Sequence, residues 1–350
     1  VMLVSWLVGS MKPSGPFAVL VLQGEQGTAK STTARFLRDL NDPSAVPSQS
    51  LPRSERDLVI AASKSWVLNF DNLSYLSQTM SDAFCRLATG GGFRTRALYT
   101  DDNERLFNSI RPMIMNGIAD IATRHDLADR SLIVLLPVIP KAKRVPEKEL
   151  IKHWEGNKSG LFGALCNALA VALANEASVK LPYLPRMADF ATWATAAETA
   201  FGWEPGTFMK EYENNQKALV EIALEADPVA VAIIRLIHKH PAHEYHGTAS
   251  DLMIVLNLNQ DLVSLKNWPR AANKLSGRLK RAAASLREIG LDVIWTKSGD
   301  RMIHIVPTPA FKLDTESPEY KSTAYHEDKG TPGEAEVELP DDPYGNGMLK

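Results

Sequence analysis

The stretch that most constrains this chain is residues 17–36, FAVLVLQGEQGTAKSTTARF. Phe17 to Leu22 is a short apolar run of the length a buried strand needs, and Ser31 to about Leu40 has helical character. Between them stands GEQGTAKS, a turn that ends at a helix N-terminus, where backbone N–H groups and the helix dipole favour an anion. Gly24 and Gly27 let the backbone turn its amides inward. Lys30 has the reach for β- and γ-phosphates, and Ser31 can hold Mg²⁺. Glu25, Gln26, Thr28 and Thr32 complete the candidate cradle. The departure is Ala29, where the usual pattern G-x-x-x-x-G-K-S/T has a glycine; whether alanine fits depends on the φ it must adopt. A chance match in a turn is the rival, and the strand before and helix after count against it.

At 350 residues two or three domains are expected. The net charge of −2 argues neither for nor against nucleic acid. Its distribution says more: residues 312–350 hold 4 Lys against 10 Asp and Glu, so the remainder is positive. Two distant cysteines, Cys85 and Cys166, suit a reducing compartment, and a cytoplasmic protein is expected. The opening VMLVSWLVGSM is too short to span a bilayer and has no basic flank, so no leader or membrane partner is expected. Leu161 to Ala174 is apolar but interrupted by Asn167, and reads as a core helix.

Along the chain, residues 1–141 alternate strand-like and helix-like segments, which implies a mostly parallel α/β sheet with its ligand at the carboxyl ends of the strands. The strand candidates after the turn are Trp66 to Phe70, Pro112 to Met115 and Leu132 to Leu136. A helix is expected near Glu55–Ala62, and another capped by Ser74 and running to about Ala88. Residues 142–226 read as a helical region, with Trp154, Leu161, Phe190, Trp193, Phe201, Phe208 and Tyr212 as packing residues. Asp227-Pro228 opens a third unit, residues 227–310, with Asp as N-cap and Pro at the first helical position. Thr248 to Asp251 resembles a capping box. A helix from about Arg270 to Ile289, ended by Gly290, precedes LDVIWTKSGDRMIHIV, which reads as a hairpin. Three helices and a hairpin make a winged-helix unit. Residues 311–350 are Pro-, Gly- and acid-rich and read as a disordered acidic tail.

Hydrolysis needs a second carboxylate on the metal side, and Asp71, ending the strand WVLNF, has that place. Asn72 follows where an acid would activate water; an amide orients water but takes no proton. The pair could otherwise cap the next helix. Asn116, at the end of Met113 to Met115, could position a γ-phosphate or its water, or simply turn the chain. Arg130, at the entry to LIVLLP, could neutralise charge across a subunit boundary. It could also be a surface ion pair with Asp126 or Asp129.

GEQGTAKS, FDN, GGGFRTR, PMIMNG and DRSLIVLLP occur in this chain in the order of the AAA+ ATPase core of superfamily 3-type helicases, and residues 15–140 resemble that core. Primase-helicases of phages and mobile elements are the group this ordered set is most similar to. The resemblance implies ATP and Mg²⁺ as ligands, a homo-oligomer of hexameric type, and a primase or other replication factor as partner. By position, Lys30 and Ser31 look like the Walker A pair, Asp71 like the Walker B acid, Asn116 like sensor 1 and Arg130 like an arginine finger. Residues 90–99 match the hairpin that in such helicases grips single-stranded DNA.

That segment makes physical sense as a DNA contact: Arg94 and Arg96, two apart on a strand, form a cationic pair, and Phe93 could stack on a base or anchor the hairpin. A solvated loop is the rival. The helix near 270–289 is the other DNA candidate. Lys274, Arg278 and Arg281 fall at helical spacing, joined by Lys280, and residues 266–287 hold seven basic residues and no acid.

The expectation is an α/β ATPase core, a helical region and a winged helix, acting as a DNA helicase or translocase of a mobile-element replication system on single-stranded and duplex DNA. Two rivals stand beside it: a nucleotide-gated DNA-binding protein without unwinding, which Asn72 favours, and a small-molecule kinase, which the basic helix disfavours.

Overall fold

Val19 to Leu22 are fully buried because alternate residues of the strand feed two different cores. Leu20 and Leu22 pack with Ile114 and Leu132 on one face, while Val19 and Val21 join Met113, Met115 and Ile133 on the other. A strand covered on both sides reads as a continuous apolar run, which is why residues 17–22 were legible.

The computed structural model describes residues 1–73, 76–96, 104–107, 109–117, 125–240, 242–265, 267–296 and 301–312. In its first part, α1 (Met2–Ser10) precedes β1 (Val19–Gln23), α2 (Lys30–Asn41), α3 (Glu55–Lys64), β2 (Leu68–Phe70) and α4 (Gln78–Thr89). Then come β3 (Phe93–Arg96), β4 (Glu104–Phe107), β5 (Met113–Asn116), the single turn α5 (His125–Ala128) and β6 (Ser131–Leu135). The main sheet has the order β2-β5-β1-β6, and every pair in it is parallel. Gln23, Phe70, Asn116 and Leu135 therefore end at one edge, the side on which an open parallel sheet binds ligands. β3 and β4 form a separate antiparallel hairpin pairing Phe93 with Phe107 and Arg96 with Glu104.

Ser77, whose hydroxyl accepts from Met80 N–H, caps α4. The expected cap Ser74 lies outside the described residues. The opening apolar stretch is a core helix: Trp6 donates its ring N–H to Ala18 O at 2.9 Å, and Trp193 donates to Val8 O at 3.0 Å.

The helical region comprises α6 (Glu147–Asn175), α7 (Ala188–Ala196) and α8 (Thr207–Glu225). It shares one core with the sheet, since Leu165, Phe190, Trp193, Phe208 and Tyr212 pack with the Leu20–Leu22 face. The apolar part of α6 corrects the core-helix expectation. Only Leu165, Ala168 and Ala172 of that helix are buried, and Leu161, Phe162 and Leu173 are exposed. Among the described residues this is also the one helix long and apolar enough to cross a membrane. The apolar run is therefore a one-sided packing surface carried on a longer helix than the sequence implied.

The C-terminal part runs α9 (Pro228–Lys239), β7 (Tyr245–Thr248), α10 (Ala249–Leu256), the single turn α11 (Gln260–Val263), α12 (Ala272–Glu288), β8 (Leu291–Thr296) and β9 (Met302–Pro307). Its antiparallel sheet has the order β7-β9-β8. The β8–β9 pairing matches the expected hairpin; β7 is a third strand, too short and polar (YHGT) to announce itself. Asp227 caps α9 by accepting from Val229 N–H, and Thr248 and Asp251 form a reciprocal capping box before α10. Gly290 ends α12 with φ +89° where a Cβ would meet Phe311 N at 2.5 Å. Leu275, Leu279, Ala282 and Leu286 bury one face of α12. One helix ties the parts together: α8 sends Phe208 and Tyr212 to the first core, Leu219 to the second and Leu224 to the third.

Candidate functional site

The loop between β1 and α2 leaves the sheet at the shared carboxyl edge. Gly24 has φ +151°, and a Cβ there would lie 2.6 Å from Leu136 O, so only glycine fits. Gly24 to Gly27 are exposed, and Thr28 is buried with its hydroxyl donating to Glu25 O at 3.0 Å. Ala29, where the common pattern has glycine, takes the left-handed conformation at φ 59°, ψ 31°. An L-residue with a Cβ accepts this at a cost of about 1–2 kcal/mol. The alanine keeps the loop's path and carries strain.

Lys30 folds back into the loop and donates from Nζ to Gly24 O at 2.6 Å and Glu25 O at 2.7 Å. Ser31 Oγ donates to Asp71 Oδ1 at 2.9 Å, bringing a hydroxyl from the start of α2 to a carboxylate just past β2. Two hard oxygens at this spacing suit a hexacoordinate divalent cation that keeps several waters. No group of three His, Cys, Asp or Glu side chains is positioned for a metal among the described residues, so a cation here would need water or ligand oxygens. Asp71 is placed by its own backbone, whose N–H donates to Gln49 O at 3.0 Å.

Asn116, buried at the end of β5, accepts on Oδ1 from Asn72 N–H at 2.9 Å, and its carbonyl accepts from Leu73 N–H at 3.0 Å. These two bonds hold Asn72 in a left-handed turn, φ 55°. With Oδ1 engaged by a backbone donor, Nδ2 is the donor end of the amide, and it is buried with no partner among the described residues. An orphan amide donor at the carboxyl edge costs free energy unless an acceptor arrives. Taken together, the glycine cradle, Lys30, the Ser31–Asp71 pair and this donor match what a phosphate ester with a divalent cation needs.

Arg130 lies elsewhere. Its carbonyl accepts from Val19 N–H at the start of β1, so it sits at the opposite end of the sheet from its own loop. Its side chain is mostly buried, donates from Nη1 to Asp126 O and lies 3.9 Å from the Asp126 carboxylate. The intrachain contact expected as the rival is therefore present. Arg130 Nε is buried without a partner among the described residues.

On the candidate DNA side, Arg94 and Arg96 fall on β3 in register with Leu106 and Glu104, and the tip between the strands lies outside the described residues. Phe93 is buried under the Arg86 guanidinium, 5.1 Å from the ring centroid, so it anchors the hairpin base and is covered against stacking on a base. On α12, Lys274, Lys280 and Arg281 are exposed. Arg278 differs: its Nε pairs with Asp227 Oδ1 at 3.0 Å, and Nη1 donates to Asn267 O. Helical spacing alone placed it in the basic stripe; the packing of α12 against the start of α9 turns it inward.

Residues 137–144, which carry no role in the sequence analysis, follow β6 and lie along the loop. Leu136 N–H donates to Gln23 O at 2.8 Å and Ile139 N–H to Gly27 O at 3.3 Å. The available signal was the cluster KAKR at residues 141–144, separated from β6 by five residues, with three cations in four residues.

Compared with known proteins, residues 1–212 match a family described as Actinomycete integrative conjugative element replication protein, and residues 229–320 match the AICE RepA C-terminal domain. The junction between the two matches brackets the start of α9. No curated protein matches the chain. Among solved structures, one described as "SCCmec type IV Cch - active helicase" matches with a TM-score of 0.43 and 13% identity over 87% of this chain. The chain spans 66% of that protein's length.

Proposed function

We propose, from the premise that this chain belongs to the actinomycete integrative conjugative element replication protein family, that it is an ATP-hydrolysing DNA helicase or translocase working as a ring. Membership supplies a part in the replication of a mobile element. The ATPase activity is our reading of the site. The observation that carries it is the Ser31–Asp71 hydrogen bond of 2.9 Å at the mouth of a glycine loop holding Lys30.

In this reading Lys30 leaves the loop carbonyls for the β- and γ-phosphates, and the loop amides of residues 24–31 hold the phosphate oxygens. Ser31 and Asp71 would hold Mg²⁺, which neutralises charge on the phosphates. Asn116 Nδ2 donates to the terminal phosphate or its water. Neither Asn72 nor Asn116 takes a proton, which points to slow turnover.

Arg130 cannot serve the loop of its own chain from the far end of β6, so its catalytic part would be played at a neighbour's loop. A ring of hexameric type is what the resemblance of residues 15–140 implies. The β3–β4 hairpin would contact one DNA strand through Arg94 and Arg96. The C-terminal unit would act as a winged helix that puts Lys274, Lys280 and Arg281 against duplex phosphates. Subunit mixing tests the arrangement. Arg130→Ala and Asp71→Ala chains should each be inactive, and mixed rings should regain part of the ATPase because some interfaces are then intact. Assembled mixed rings with no recovery would reject the trans arginine.

A second reading is favoured by Asn72: a nucleotide-gated DNA-binding protein that assembles on ATP without unwinding. A forked-duplex strand-separation assay divides the two, since only the first reading produces free single strands with ATP.

A further inference from the structure

The connector after β6 lies on the glycine loop like a strap. It is tied at both ends, by Leu136 N–H to Gln23 O and by Ile139 N–H to Gly27 O. Past a short 3₁₀ turn at Lys141–Lys143, Arg144 comes back to the loop: a Cβ built on Gly27 would lie 3.2 Å from Arg144 Nη2. The guanidinium thus rests against the bare face of the glycine, while its Nε makes a long hydrogen bond of 3.4 Å to Ile139 O. It is exposed and has no ion pair with a carboxylate among the described residues, in contrast to Arg35, which pairs with Glu147 at 2.9 Å. An uncompensated guanidinium held beside an anion cradle, with only a weak bond to break, is placed to change partners.

We propose that Arg144 acts in its own chain as the residue that tells a nucleoside triphosphate from a diphosphate, moving from Ile139 O to the terminal phosphate. The proposal rests on the reading of the loop as an ATP site. The same residue leads through Val145 and Pro146 into α6, whose first turns are fixed to α2. Trp154 stacks on Phe36 at 4.4 Å, and both its ring N–H and Lys158 bond Asp39, at 2.7 and 2.6 Å. The guanidinium can thus change partners while α6 stays held against α2. Arg144 is a binding and positioning residue here; the reacting atoms remain with Lys30, Ser31 and Asp71.

The test is equilibrium titration of the full chain with Mg²⁺ and either ADP or a non-hydrolysable ATP analogue, for the parent, Arg144→Ala, Arg144→Lys and Lys30→Ala. Loss of one charge-assisted contact predicts a drop of roughly tenfold or more in analogue affinity for Arg144→Ala. ADP affinity should stay within about twofold, and Arg144→Lys should recover part of the loss, since a charge remains but the fork does not. Equal losses for both nucleotides, or no loss for either, would overturn the assignment while leaving the loop site standing. A parent chain that binds neither nucleotide would remove the loop site itself, and Arg144 with it.

Discussion

The side-chain amide of Asn215 stands beside Ile133 as a substitute strand: its Oδ1 accepts from Ile133 N–H at 3.0 Å, and its Nδ2 donates to Ile133 O at 2.5 Å. Gln216 adds a donor to Ser131 O at 3.1 Å. β6 is an outer strand of the parallel sheet, and its free backbone groups would otherwise be open to pairing with another chain. Because α8 also packs into the C-terminal core, this contact joins the sheet edge that begins at Arg130 to the candidate DNA-binding unit. Replacing Asn215 with leucine removes both bonds and leaves two backbone groups without a partner. We expect a loss of about 1–3 kcal/mol in urea unfolding and a greater tendency to self-associate. Unchanged stability would show that the clamp is incidental.

Ala29→Gly should relieve the left-handed strain at the loop. Part of the gain is offset by the freedom glycine has in the unfolded chain, so a net stabilisation of about 0.5–1 kcal/mol is expected. Ala29→Val should destabilise, because a β-branched residue tolerates φ near +60° poorly. Thermal unfolding of the three chains gives the order Gly above Ala above Val. An order with valine on top would mean the loop is not left-handed at this position.

On α12 the basic residues should divide by their partners. Lys280→Ala and Arg281→Ala should weaken duplex binding and each lower the salt slope by about one, as loss of a phosphate contact does. Arg278→Ala should act on folding of the C-terminal unit, since it strips a partner from the mostly buried Asp227. Binding measured against salt concentration, next to unfolding of each variant, separates the two effects. A full-unit change in salt slope for Arg278→Ala with unchanged stability would reverse the assignment.

Burial pushes the Cys85 thiol up to about 11, with smaller opposing and reinforcing effects from Arg130 and Asp126. The folded state therefore favours the protonated thiol. Its stabilising contribution is whole below the ordinary thiol value near 9 and is lost as pH rises toward 11. Stability should fall across that window in the parent and fall less in Cys85→Ala. At pH 8 a thiol reagent should modify exposed Cys166 quickly and Cys85 slowly. Two equally fast thiols would contradict this.

What could be read from the sequence was local. The loop with its flanking strand and helix, the Asp227 cap, the Thr248–Asp251 box and the β8–β9 hairpin each carry their cause within a few residues. The rest depends on what packs against what. Helical spacing put Arg278 in a basic stripe, but Asp227, fifty-one positions earlier, draws it inward. For Phe93 the sequence left stacking on a base and anchoring the hairpin both open, and the Arg86 guanidinium over its buried ring decides for the anchor. The Asn215 clamp has no sequence signal, since an amide on a helix announces no strand. Among the site residues, Asn116 was placed by its strand end alone, whereas Arg144 needed the fold of the connector to bring it back over Gly27.

If the loop at Lys30 hydrolyses ATP for work on DNA, turnover must depend both on Lys30 and on DNA. Both dependences are read from the steady-state ATPase rate of the full chain with and without single-stranded DNA, for the parent and Lys30→Ala. We expect slow hydrolysis by the parent, raised by DNA, and none above background in Lys30→Ala. Hydrolysis that persists in Lys30→Ala would place the activity outside this loop, and a parent rate indifferent to DNA would separate hydrolysis from work on DNA.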